Sequence, residues 1–103
     1  MLTILFYMTS KPGCDAETRA LVVEMTRVSR AEDDGCISYR FHQRRDDPRR
    51  WVLYEQWRDR AALDAHVANM KRHFGEPPPG ARLPARLHAL VDDFEVVAYD
   101  VIE

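Results

Sequence analysis

Residues Trp51 to His66 read WVLYEQWRDRAALDAH, and a change of spacing halfway along this stretch decides the fold. Up to Trp57 the chain alternates. Strand side chains repeat every two residues, so Trp51, Leu53, Glu55 and Trp57 share one side while Val52, Tyr54 and Gln56 share the other. Beyond it Leu63, His66, Val67 and Met70 recur at steps of three and four, the spacing of one helix face. Asp59 carries the short carboxylate that suits a helix N-cap. The stretch therefore predicts a strand ending in a tryptophan, then a helix that turns a histidine inward. Such a helix, packed on the sheet, gathers Trp57 and His66 at one pocket.

Working outward, Leu2 to Thr9 is apolar at nearly every position, as in a strand that is central or covered on both faces. Lys11-Pro12-Gly13 ends it. With Asp15 as N-cap, a helix is expected from Ala16 to Asp33, with Leu21, Val22, Met25 and Val28 inward, Arg19, Glu24, Arg27 and Arg30 in water, and Gly35 as its C-cap glycine. A second strand from Cys36 to Arg44 is expected to place Ile37, Tyr39 and Phe41 on one face, and Arg45-Asp46-Asp47-Pro48 reads as a solvated turn into the third. The second helix is expected from Arg60 to His73. A stiff loop follows, Gly75-Glu76-Pro77-Pro78-Pro79-Gly80, which suits a lid or connector. Leu83, Leu87, Leu90 and Val91 suggest a short third helix, and Phe94 to Ile102 the last strand, apolar on both alternations.

The order β-α-β-β-α-(short α)-β is that of a ferredoxin-like α+β fold, a four-stranded antiparallel sheet with helices on one face, in one domain spanning 1–103. The apolar second face of the first and last strands then requires cover, and a homodimer packed sheet against sheet is the economical answer.

Composition narrows the function. Fifteen basic residues against seventeen acidic ones leave a formal charge of −2, without the basic excess of a nucleic-acid binder. MLTILFYM is too short to span a bilayer and lacks signal-peptide flanks, so neither a membrane span nor secretion is expected. Two cysteines, Cys14 and Cys36, form no disulfide framework, which points to the cytoplasm and to inert thiols. Of the four histidines, His66 and His73 stand about 10 Å apart along a helix, too far to share one ion, and no metal site is expected.

With the elements placed, four segments resemble the antibiotic biosynthesis monooxygenase family of small dimeric α/β barrel proteins. They are KPG (Lys11 to Gly13), DDGCISYRFHQ (Asp33 to Gln43), DDPRRWVLYEQW with ALDAH (Asp46 to Trp57, Ala62 to His66) and HF (His73-Phe74). The resemblance implies a pocket between sheet and helices in which a phenolic or quinol-like aromatic is oxidised without metal, flavin or haem. An electron-rich phenolate reduces dioxygen itself, so the protein has only to bind and deprotonate it. The polyketide-oxidising branch pairs its strand tryptophan, matched by Trp57, with an asparagine and a tyrosine whose places are taken here by Leu53 and Leu63. The haem-degrading branch's asparagine and tryptophan fall on Phe6 and His66, and its histidine on the proline loop, so haem degradation is not implied. His66 in its AH motif is similar instead to the quinol-oxidising and signal-processing members.

This reading makes His66 the catalytic base, whose pKa lies near working pH, and Trp57 its catalytic companion. Tyr39 orients the ring with Trp57, and Phe41, Trp51, Leu53, His73 and Phe74 complete the substrate-binding wall. Two other functions share the pocket: an isomerase or lyase on a small carbonyl compound, with His66 as proton shuttle, and a non-catalytic dimeric ligand-binding or protective module.

Overall fold

The computed structural model describes residues 1–103. Its elements are β1 (Leu2–Ser10), α1 (Asp15–Glu32), β2 (Cys36–Gln43), β3 (Arg50–Trp57), α2 (Arg60–Phe74), α3 (Ala85–His88) and β4 (Val91–Asp100). The strands pair antiparallel in the order β2-β3-β1-β4, which with this element order is the ferredoxin-like α+β fold. β1 lies between β3 and β4, and its apolar run is the mark of that central place.

Register explains the core. Met8 faces Trp51, Phe6 faces Leu53 and Ile4 faces Glu55 across β1 and β3. Period two sends all six to the same side of the sheet, where each is buried. The helices cover that side. α1 contributes Leu21, Val22, Met25 and Val28, and α2 contributes Ala62, Met70 and Phe74. Each large apolar side chain so buried contributes about 1.5–3 kcal/mol. α2 starts where the sequence placed it: Asp59 accepts the Ala62 N–H at 2.9 Å. It ends at Gly75, whose φ of +98° is left-handed and whose N–H reaches Lys71 O.

Several expectations are corrected. Residue 15 is not a cap: Cys14 occupies the N-cap position without a side-chain bond, and Asp15 opens α1, accepting from Ser10 Oγ at 3.3 Å. Gly35 is not the C-cap either, since Asp33 ends α1 and Gly35 lacks a positive φ. Gly35 is required for space instead: a Cβ there would stand 2.3 Å from Ala62 Cβ. Ile37 does not share the face of Tyr39 and Phe41. The register slips between Cys36 and Ser38, and Ile37 projects outward, half exposed. α3 is one turn only, with Leu83 before it and Leu90 and Val91 after it, and β4 begins at Val91 and ends at Asp100.

The outer face of the sheet is apolar through its middle. Leu5 pairs with Tyr54 on one side and Val97 on the other, Tyr7 pairs with Val52, and Tyr99 with Thr3. Tyr7, Tyr54 and Tyr99 are 42, 37 and 48% exposed on this single chain. No helix is long and apolar enough to cross a membrane.

Candidate active site

Between the inner sheet face and the helices lies an open cavity of about 610 Å³. Ile4, Phe6 and Leu53 form its sheet floor, Met25, Leu63 and Met70 its helix side, and Phe94, Val96 and Ala98 of β4 its edge. The segment after α2 closes another side through Ala81, Leu83 and Pro84. Val67 and Val96 are each 41% exposed, and both line this cavity.

Three buried groups with protons to exchange line it, one each from β2, β3 and α2: Tyr39, Glu55 and His66. His66 is held from behind. Its Nδ1 stands 2.6 Å from Asp33 Oδ2, both side chains less than a tenth exposed, and 3.5 Å from Ser29 Oγ. A carboxylate only accepts, so the neutral imidazole donates Nδ1–H to Asp33 and keeps its lone pair on Nε2. Nε2 has no partner in the protein. It is not sealed either, because the one buried side-chain nitrogen or oxygen lacking a partner is Thr18 Oγ1. It therefore opens on the cavity that His66 lines. Asp33 is fixed in turn: Asn69 Nδ2 donates to its Oδ1 at 3.2 Å.

Burial governs the protonation of all three. It lowers the His66 pKa, with the Asp33 hydrogen bond and charge working the other way, so the imidazole is neutral at pH 7. Burial raises Glu55 to about 7, opposed by the hydrogen bond from Trp57 Nε1 at 2.7 Å. Burial also drives Tyr39 well above an ordinary phenol, the Glu55 charge adding to it. The cavity thus holds a neutral base, a carboxyl titrating near neutrality and a phenol that keeps its proton.

The expected residues distribute unevenly around this centre. Tyr39, Phe41 and Leu53 line the cavity with His66. Trp57 is fully buried and does not reach the lining; its ring packs on the imidazole with centroids 4.4 Å apart, and Tyr39 meets His66 at 5.2 Å. Trp51 is at the far end of the sheet, donating to Ser10 Oγ at 3.3 Å and lining a separate hollow. His73 is at the surface, bonded to Glu32 at 2.8 Å, and Phe74 belongs to the core. Neither lines the cavity. No three His, Cys, Asp or Glu side chains cluster closely enough to hold a metal ion.

Two residues of the centre were not singled out in the sequence. Glu55 left a signal, a carboxylate within the inward set Trp51, Leu53, Glu55 and Trp57. Asp33 left none, because its partner stands 33 residues away.

This geometry has relatives. A curated protein of Synechocystis sp., sll1783, is 41% identical over 70 residues, which cover 67% of this chain and 47% of that protein. The chain thus spans about half the length of that relative. The crystal structure of PA3566 from Pseudomonas aeruginosa superposes with a TM-score of 0.81 at 25% identity, covering 99% of this chain and 94% of the other. A crystal structure described as an antibiotic biosynthesis monooxygenase matches over 100% of both chains, with a TM-score of 0.78 and 25% identity. The model of the family described as Antibiotic biosynthesis monooxygenase matches residues 1–75, which contain Asp33, Tyr39, Glu55 and His66. By that match, the chain belongs to the antibiotic biosynthesis monooxygenase family.

Proposed function

We propose that the chain is a monooxygenase without metal, flavin or haem, oxidising a small phenolic or quinol-like aromatic in the cavity between sheet and helices. The observation that carries this reading is the buried Asp33–His66 contact, with Nε2 left free toward a mostly apolar cavity. His66 Nε2 takes a phenolic proton, and Asp33 stabilises the imidazolium that results. The phenolate then reduces dioxygen. A hydroquinone C–H becomes C–OH as the ring goes to the quinone, and the second oxygen atom leaves as water. Those four electrons all come from the substrate, so no further reductant is needed. A simple phenol supplies only two on hydroxylation, which restricts the substrate to hydroquinone-like or anthrone-like rings.

Trp57 supports the base rather than touching substrate: it backs the imidazole and holds Glu55. Glu55, titrating near neutrality, takes up or returns a proton on the same lining. The reading includes a homodimer, supported by the apolar outer face around Leu5, Tyr54 and Val97. Light scattering is expected to give twice 12.0 kDa, and a monomer at working concentration would remove the dimer.

The test is oxygen uptake by chelator-treated protein over anthrones, naphthohydroquinones and catechols. Protein-dependent uptake that survives chelation and falls in His66→Ala, with a product one oxygen heavier and two hydrogens lighter, is expected. A product of unchanged mass would favour the isomerase. A ligand that raises Tm and is recovered intact would favour the binding module.

A further inference from the structure

Four charged side chains line the outer part of the cavity: Arg60, Asp64, Lys71 and Arg82. Arg60 and Asp64 satisfy one another, Nε to Oδ1 at 3.0 Å. Lys71 and Arg82 have no carboxylate within ion-pair distance, so the mouth carries two uncompensated cations on a chain whose formal charge is −2. Arg82 is nevertheless positioned. Its guanidinium lies over the Phe94 ring, 5.7 Å from the centroid, and Phe94 stacks on Phe6 of the floor at 5.7 Å.

The spacing from the base is set by α2. Lys71 stands five residues beyond His66, about 7.5 Å along the axis at 1.5 Å per residue. The two side chains flank opposite edges of the cavity-facing stripe formed by Leu63, Val67 and Met70. A ligand whose hydroxyl meets His66 Nε2 therefore crosses an apolar floor before its far end reaches the cations. An apolar body with a proton donor at one end and negative charge at the other matches the cavity along its length.

We propose that Lys71 and Arg82 form an anion subsite, and that the aromatic ligand carries a carboxylate or equivalent anionic group at the end remote from its reacting hydroxyl. The proposal rests on the aromatic-ligand reading above, and it is tested by binding alone. The probes are 6-hydroxy-2-naphthoate, its neutral amide and 2-naphthol, none of which is a hydroquinone. Calorimetric titration at pH 7 and low salt is expected to show the carboxylate binding about tenfold tighter than the amide, as two partly exposed charge-assisted contacts would give. The preference is expected to shrink with added salt and to fall within twofold in the Lys71→Met/Arg82→Gln double variant. Lys71→Arg and Arg82→Lys are expected to retain it, which separates charge from lost packing on Phe94. Equal affinity for the three probes, a preference that survives the double variant, or no binding by any of them would overturn the subsite. The two readings fail separately. Carboxylate-selective binding without oxygen uptake on any substrate overturns the oxygenase alone, whereas oxygen uptake on a hydroquinone with equal affinity for the three probes overturns the subsite alone.

Discussion

Replacing Glu55 by Gln removes one ionisation and little else. The amide keeps the length of the carboxyl and an oxygen that accepts from Trp57 Nε1, a bond of 2.7 Å in the present structure. In the fold, burial raises the Glu55 carboxyl from its ordinary 4.5 to about 7. In the unfolded chain it titrates at the ordinary value. Between those pH values the folded state holds a proton that the unfolded state has released, so stability falls as pH rises through this window and is level above it. At about 1.4 kcal/mol per pH unit, the loss across the window is about 3 kcal/mol. The Glu55→Gln protein has no such loss. Urea unfolding of both proteins, followed by tryptophan fluorescence from pH 4 to 8, is expected to show the variant gaining about 3 kcal/mol on the wild type over that range. Most of the change should fall between pH 4.5 and 7. Groups common to both chains drop out of the difference. Parallel stability curves would refute the argument, because they would mean that Glu55 ionises as readily inside the fold as outside it.

Two further outcomes follow from single contacts. Gly35→Ala is expected to cost about 1–3 kcal/mol by overpacking, since its Cβ would stand 2.3 Å from Ala62 Cβ; Ala62→Gly in the same chain should recover part of this, and an unchanged urea midpoint for the single variant would show that the strand and helix part freely. Asp33→Asn is expected to lower turnover by about 10²-fold, within the range of general-base contributions, and to move the acid limb of the pH–rate profile downward, because the carboxylate that favours imidazolium has gone. A profile superposable on the wild type would take Asp33 out of the proton transfer.

The fold was legible where period and punctuation agreed. The shift from alternation to helical spacing between Trp57 and Leu63 located both elements, and Asp59 marked the boundary by a bond it makes. Ile37 was misassigned because a bulge between Cys36 and Ser38 breaks period two, and an unpaired residue leaves no trace in a run of apolar letters. Gly35 was misread because a glycine near a helix end looks the same whether it supplies a left-handed φ or a missing Cβ. At the site, faces and resemblance pointed to His66 and Tyr39, and both line the cavity. Glu55 passed as one more strand residue because a carboxylate becomes notable only when its surroundings are known to be dry. Trp51 was grouped with them by strand face and His73-Phe74 by resemblance, but Trp51 lies at the other end of its strand, His73 turns to Glu32 at the surface and Phe74 is taken up by the core.

The cavity's two halves come from different parts of the chain. The base, its carboxylate partner and the neighbouring phenol and carboxyl lie within residues 1–75, the span that matches the family. The wall formed by Ala81 to Pro84, and by Phe94, Val96 and Ala98, lies wholly outside that span, partly on a short loop and partly on a strand with one free edge. None of these wall residues belongs to α2, the helix that carries His66. The wall carried by residues 76–103, on a loop, one helical turn and an edge strand, can therefore vary in shape apart from the buried Asp33–His66 pair, which sits within the matched span.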